Sequence, residues 1–176
     1  MDIIMDASPD SIRASGERDL LEIAGVARST WKNWARNGLV QEQEDGLYSE
    51  SDVIETLAVR LVVEAVGLRA ATAAWRQGRH GTLPCLERLD VATADEVWLV
   101  IDSYTWQLVL ATCAEGLLEE LKRPTPFPRG RVVVTVGPAV SEARKAFWAR
   151  AVPAKDLRRD KRRRTIAQVQ TERSKR

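Results

Sequence analysis

The sequence has few of the residues from which metal centres and disulfide frameworks are built. Its 176 residues include two cysteines and one histidine. Cys85 and Cys113 lie far apart with no CxxC spacing, and His80, in a predicted turn, has no other ligand at metal-binding spacing. We therefore expect two ordinary thiols in a reducing, cytoplasmic environment, and no metal site.

Long apolar runs are also missing, and we expect no signal peptide. The most apolar stretch, residues 97–114, is interrupted by polar side chains and does not predict a membrane span. Asp2 and Asp6 lie where a signal peptide would be basic. The sequence contains no GxSxG, P-loop, HExxH or GxGxxG motif, so we expect neither an enzyme nor a cofactor.

Charge is abundant but segregated along the chain. Residues 155–176 contain ten Lys or Arg and three Asp or Glu, a net charge of +7. Because the whole chain carries only +2, the remainder carries −5. We expect residues 153–176 to be disordered and to contact nucleic acid, although a purely solubilising tail is the alternative. The residues predicted to contact phosphates there are Arg162, Arg163 and Arg164.

Glycines divide the region after residue 17 into two short helices. Residues 18–25 form an amphipathic segment closed by Gly25, and residues 28–37 form a second one closed by Gly38. Two short helices joined by a tight turn are typical of the helix-turn-helix motif.

The second of these helices predicts a DNA-reading surface. Trp31, Trp34 and Ala35 recur at helical spacing and are expected to face the interior. Its remaining polar side chains suit bases and phosphates, and an amphipathic surface helix with two packed tryptophans is the alternative. The predicted DNA contacts are Arg28, Ser29, Thr30, Lys32, Asn33 and Arg36.

Residues 39–66 predict a wing followed by a buried helix. Residues 39–40 and 47–48 can be extended, and the Asp45-Gly46 pair between them favours a hairpin turn. Residues 49–52 offer capping groups for a helix with an apolar stripe that Gly67 ends. A further helix is expected to begin at residue 68 and to end within residues 77–81.

The segments GVARSTWKNWARNGLV and GLYSESDVIETLAVRLVVEAVGL resemble the winged helix-turn-helix of the MerR superfamily. Its members typically show Val-Ser-x-x-Thr-Leu-Arg-Tyr-Tyr-Glu-x-x-Gly-Leu, then a wing and a helix that begins Tyr-Ser-x-x-Asp-Val/Leu. The resemblance covers about residues 18–78 and implies that the helix from Arg28 lies near DNA and that Tyr48 approaches a phosphate. The matching residues are Val26, Thr30, Gly38, Leu39, Tyr48, Ser49, Asp52 and Val53.

The chain also departs from that family's pattern. Glu42, Glu44 and Asp45 stand in the wing, where the family commonly has a phosphate-binding arginine. The long dimerisation helix and the clustered cysteines of the metal-responsive members are missing, so the resemblance implies neither metal sensing nor that family's dimer.

The second half predicts a small α+β unit. Strands are expected at residues 97–101, 106–110 and 131–136, and helices at 114–122 and 139–150. The predicted fold is therefore α+β. Its parts are a lead-in at 1–17, a mostly α-helical winged helix-turn-helix domain at 18–78, an α+β oligomerisation or partner domain at 83–152, and the basic tail at 153–176.

These features predict a sequence-specific transcriptional regulator that binds double-stranded DNA, does not enter membranes and forms a homo-oligomer, with a dimer expected. A protein partner for the second half is a further option. The alternative is a DNA-binding assembly or adaptor protein of phage or plasmid type, or an antitoxin, with a loose grip on nucleic acid.

Overall fold

A computed structural model describes residues 13–87, 96–124, 130–154 and 156–158. The helices are α1 (Glu17–Ala24), α2 (Arg28–Arg36), α3 (Glu50–Val66), α4 (Leu68–Glu87), α5 (Ala114–Lys122) and α6 (Gly137–Arg150). The strands are β1 (Arg13–Gly16), β2 (Leu47–Tyr48), β3 (Trp98–Asp102), β4 (Leu108–Ala111), β5 (Arg131–Thr135) and β6 (Val152–Pro153). They form two antiparallel sheets, in the orders β2-β1-β6 and β4-β3-β5. The fold is α+β, as the sequence predicts.

A short turn that depends on a glycine joins α1 to α2. Gly25 has a φ of 66°, in the left-handed region that L-residues rarely adopt, and its N–H donates to carbonyls in the last turn of α1. A β-carbon there would collide with the guanidinium of Arg60. That guanidinium donates to the carbonyl oxygen of Ala24 at 2.8 Å, which fixes the end of α1 against α3. The predicted helices at 18–25 and 28–37 are confirmed to within a residue.

Helix α3 lies at the centre of the molecule. A capping box starts it: the Ser49 N–H donates to Oδ2 of Asp52 at 2.7 Å, and the Asp52 N–H donates to Oγ of Ser49 at 3.3 Å. Gly67 ends the helix, as predicted. All residues from Val53 to Val59 are buried, which is more than one stripe, because α1, α4 and α6 pack around the helix.

Helix α4 continues beyond its predicted end. We expected it to stop within residues 77–81, but it passes Gly78 and Pro84 and ends at Glu87. Gly78 permits close packing against the second sheet, because a β-carbon there would lie 2.5 Å from Cβ of Leu108. Tertiary packing therefore outweighs the weak helix propensity of these residues. His80 accordingly lies in a helix and not in the turn that we predicted.

The elements of the second half form close to where the sequence predicts them. β3 pairs with β4 and β5, and its residues Leu99 and Ile101 belong to the buried core. The predicted helices are confirmed as α5 and α6, and Pro138 lies in the first turn of α6. The β3–β4 turn is held by Oδ1 of Asp102, which accepts hydrogen bonds that lower the pKa of this carboxyl.

Two predicted boundaries are wrong. Residues 13–16, assigned to the lead-in, form strand β1, and α1 begins at Glu17. β1 pairs with β6, with Ala14 opposite Val152 and Arg13 opposite Pro153, so Pro153, which was assigned to the tail, belongs to a strand. One cluster of buried apolar side chains extends from Leu20 to Ala151 and joins both halves.

The predicted wing hairpin does not form. Strand β2 pairs with β1, with Tyr48 opposite Ser15, and not with residues 39–40. Leu39 and Val40 are buried without forming a strand. Residues 41–46, called the acidic loop below, lead back to β2 through a turn in which the Gly46 N–H donates to the carbonyl oxygen of Gln43 at 3.0 Å.

Candidate nucleic-acid interface

Helix α2 is anchored by its two indoles. Trp31 is fully buried and Trp34 is 4% exposed, while Ala35 packs partly against the same core. The Trp31 ring meets Tyr48 edge to face, with centroids 5.7 Å apart and planes at 85°. The predicted inward face is confirmed, and it fixes the rotation of α2 about its own axis.

The opposite face of α2 carries the side chains predicted to contact DNA. Arg28, Lys32 and Arg36 recur at intervals of four residues and therefore form one basic stripe. At 1.5 Å per residue this stripe is about 12 Å long, similar to the width of the major groove. Ser29 and Thr30 are exposed near the start of the helix, and Asn33 is partly exposed beside the stripe.

Two of the three cations in the basic stripe are engaged by carboxylates. Nε of Arg28 lies 2.5 Å from Oε1 of Glu17, at the start of α1. Nζ of Lys32 lies 3.9 Å from the other oxygen of Glu17 and also pairs with Glu42 of the acidic loop. Arg36, by contrast, forms no ion pair with the residues that the structure describes.

The sequence reveals only part of this arrangement. An acidic wing containing Glu42 is visible in it, but the contact with Lys32 is not. Glu17 was missed altogether, because no spacing rule links residues 11 positions apart on separate helices. The packing of α1 across α2 brings them together.

A groove runs between α2 and the acidic loop. Its apolar floor comes from Ala35 and Val40, and polar or charged side chains form its walls. It opens on the same side of the molecule as the basic stripe, since Lys32 and Arg36 belong to both. The lining residues are Lys32, Ala35, Arg36, Val40, Gln41 and Glu42.

Tyr48 does not lie where a phosphate contact requires it. The side chain is 1% exposed and packs against Trp31. Burial raises its pKa to about 12, with smaller contributions from Glu17, Glu42 and Asp52, although a hydrogen bond with the Gln43 backbone opposes the shift. Tyr48 is therefore a core residue that orients α2, and the predicted phosphate contact is wrong.

The start of the basic tail lies beside the acidic loop. Nη2 of Arg158 pairs with Oδ2 of Asp45 at 3.1 Å. Both side chains are about half exposed or more, so the pair adds little stability. It does bring residue 158 to the acidic loop. The predicted phosphate contacts Arg162, Arg163 and Arg164 lie outside the described residues.

The four tryptophans beyond α2 differ in environment. Trp75 is 1% exposed, and Trp98 and Trp106 are partly buried. Trp148 is 50% exposed. Its Nε1 donates to Oε2 of Glu50 at 2.8 Å, and the guanidinium of Arg13 lies 5.6 Å from its ring centroid.

Comparison with models of protein families finds no match for this chain, and comparison with curated proteins finds none either. Function is therefore inferred from the geometry of the surface around α2. Within the described ranges, no helix combines the length and apolar character needed to cross a bilayer.

Proposed function

We propose that the protein is a cytoplasmic, sequence-specific transcriptional regulator that binds double-stranded DNA through the outer face of α2. One observation carries this proposal: a short helix fixed by two buried indoles presents a basic stripe to solvent. Side chains at its two ends can reach phosphates on both sides of the major groove, while Asn33 and Arg36 offer hydrogen bonds to base edges.

The basic tail supports the same function by adding affinity for DNA that does not depend on sequence. Clustered arginines release counterions from DNA and bind without reading sequence. Arg158, near the start of the tail, pairs with Asp45 of the acidic loop, and Glu42 of the same loop binds Lys32 of α2. Tail and helix can therefore engage one duplex, the helix for specificity and the tail for affinity.

A competition binding experiment tests the proposal. Sequences are selected from a random duplex library with the full chain, and binding is then measured at physiological salt against mixed-sequence DNA. We expect a preferred site, and we expect Lys32→Ala and Arg36→Ala to weaken binding to it. Lys122→Ala removes an exposed lysine from α5 and should leave binding unchanged. Equal behaviour of all three variants, or no preferred site, would contradict the proposal.

The oligomeric state separates the regulator from an assembly or adaptor protein. A regulator with one short reading helix per chain is expected to be a dimer that binds two half-sites about one helical turn apart. Light scattering on the full chain should give a dimer, whereas a ring or a larger assembly favours the adaptor.

A further inference from the structure

Glu17 and Glu42 bind the cations that the proposed function assigns to DNA phosphates. Glu17 contacts both Arg28 and Lys32, and Glu42 of the acidic loop also pairs with Lys32. Lys32 is also held at 5.2 Å from the ring centroid of Trp31, so its ammonium lies within a small, defined space. A phosphate that binds Lys32 must therefore enter a position bounded by two carboxylates.

The carboxylates are held in place by the fold. Glu17 is the first residue of α1, whose far end is tied to α3. The acidic loop is fastened by Nε2 of Gln43, which donates to Oδ1 of Asp52 at 3.0 Å, and by the Leu47 N–H, which donates to Oδ1 of Asp45 at 3.0 Å. These contacts fix the backbone positions from which Glu17 and Glu42 reach Lys32.

The two carboxylates beside Lys32 are expected to have opposite effects on sequence-independent and on sequence-specific DNA binding. Contact with phosphates alone breaks ion pairs and brings like charges together, which weakens sequence-independent binding. A base edge that displays an amino group, such as N4 of cytosine, gives a carboxylate a hydrogen-bond donor. The cost of displacing the carboxylates is therefore offset only at sequences that offer such groups.

We propose that Glu17 and Glu42 are specificity-determining residues, which suppress binding to mixed-sequence DNA and so raise the preference for the cognate site. This inference rests on the proposed function, since it assumes that the basic stripe faces DNA. It assigns a role to two residues that carry the wrong charge for direct phosphate contact.

Variants that neutralise one carboxylate each, compared with a matched control, test the inference. Glu17→Gln and Glu42→Gln remove one negative charge each, and Glu44→Gln removes the same charge from the acidic loop at an exposed residue with no ion pair among the described residues. Binding to a mixed-sequence duplex and to the selected site is measured by fluorescence anisotropy. Thermal unfolding of each variant confirms that it is folded.

We expect Glu17→Gln and Glu42→Gln to tighten mixed-sequence binding about three- to tenfold, and Glu44→Gln less than about twofold. The preference for the selected site should fall for the first two variants. If all three glutamine variants bind mixed-sequence DNA as tightly as the wild type does, while Lys32→Ala still weakens binding, the inference is wrong and the proposed function survives. If neither the wild type nor Glu42→Gln binds DNA at low salt, the proposed function fails and the inference fails with it.

Discussion

Replacing Trp31 by alanine removes the side chain that sets the orientation of α2. The indole is fully buried and packs edge to face against Tyr48. Truncation of a buried tryptophan to alanine costs about 3–5 kcal/mol, because apolar burial is lost and a cavity remains. Domains of ordinary size are stable by about 5–15 kcal/mol, so the variant should lose a large share of its free energy of unfolding. For a chain of this length, Tm should fall by about 6–20 °C.

A conservative variant separates packing from hydrogen bonding at this position. Nε1 of Trp31 is buried with no hydrogen-bond partner among the described residues. Trp31→Phe therefore breaks no hydrogen bond and removes an unsatisfied donor, whose burial costs about 1–3 kcal/mol. We expect it to cost less than half as much as Trp31→Ala. Trp148→Ala is the comparison for an indole outside the core: Trp148 is half exposed, and although its N–H donates to Glu50, its loss should cost less than that of Trp31.

The assay is urea unfolding followed by far-ultraviolet circular dichroism, which does not depend on the substituted fluorophore. The slope of free energy against urea should be similar in all variants, so that midpoints report stability. A loss below about 1 kcal/mol for Trp31→Ala would mean that Trp31 is not a core residue. The orientation of α2, and with it the basic stripe, would then be wrong.

Further predictions concern the helix turn and the buried tyrosine. Gly25→Ala should cost about 1–3 kcal/mol in urea unfolding, because it requires a positive φ and displaces the Arg60 guanidinium from its hydrogen bond to the Ala24 carbonyl. Gly38→Ala, with a φ of 71° and open space around it, should cost only about 1 kcal/mol. The pKa of Tyr48 rises from 10.0 to about 12 on folding, so its neutral form contributes stability below pH 10 that is lost as the pH rises to 12, by up to about 2–3 kcal/mol. The difference in unfolding free energy between wild type and Tyr48→Phe should therefore change across this window, and a constant difference would refute the raised pKa.

Local signals in the sequence were sufficient for most helices and strands. Gly25 and Gly38 adopt the left-handed conformations that end helices, so α1 and α2 could be placed from their positions. β-branched runs identify β3 and β5, and the Gly137-Pro138 pair identifies the start of α6.

Long-range pairing explains what could not be predicted. The four residues of β1, RASG, carry no strand signal, and they are extended because β2 and β6 flank them. The wing hairpin could not be excluded from the sequence for the same reason: β2 pairs with β1, which precedes the helix-turn-helix segment. α4 continues past Gly78 because Leu108 packs closely against it.

The candidate site divides in the same way. The inward tryptophans of α2 follow from helical periodicity, and the structure confirms them. Arg28 and Arg36 are exposed as predicted, whereas Lys32 is only partly exposed. The ion pairs of Glu17 and Glu42 and the burial of Tyr48 depend on how α1, the acidic loop and β2 pack around α2. Such contacts between separate elements leave no pattern in a single sequence.

The salt dependence of DNA binding tests the central claim most directly. The logarithm of the binding constant falls linearly with the logarithm of salt concentration, with a slope that counts displaced phosphate counterions. If Lys32 contacts a phosphate, Lys32→Ala should weaken binding to all sequences and reduce the magnitude of the slope by about one. Lys122→Ala should keep the wild-type slope. Identical slopes for the wild type and Lys32→Ala would contradict the assignment of this face of α2 to DNA.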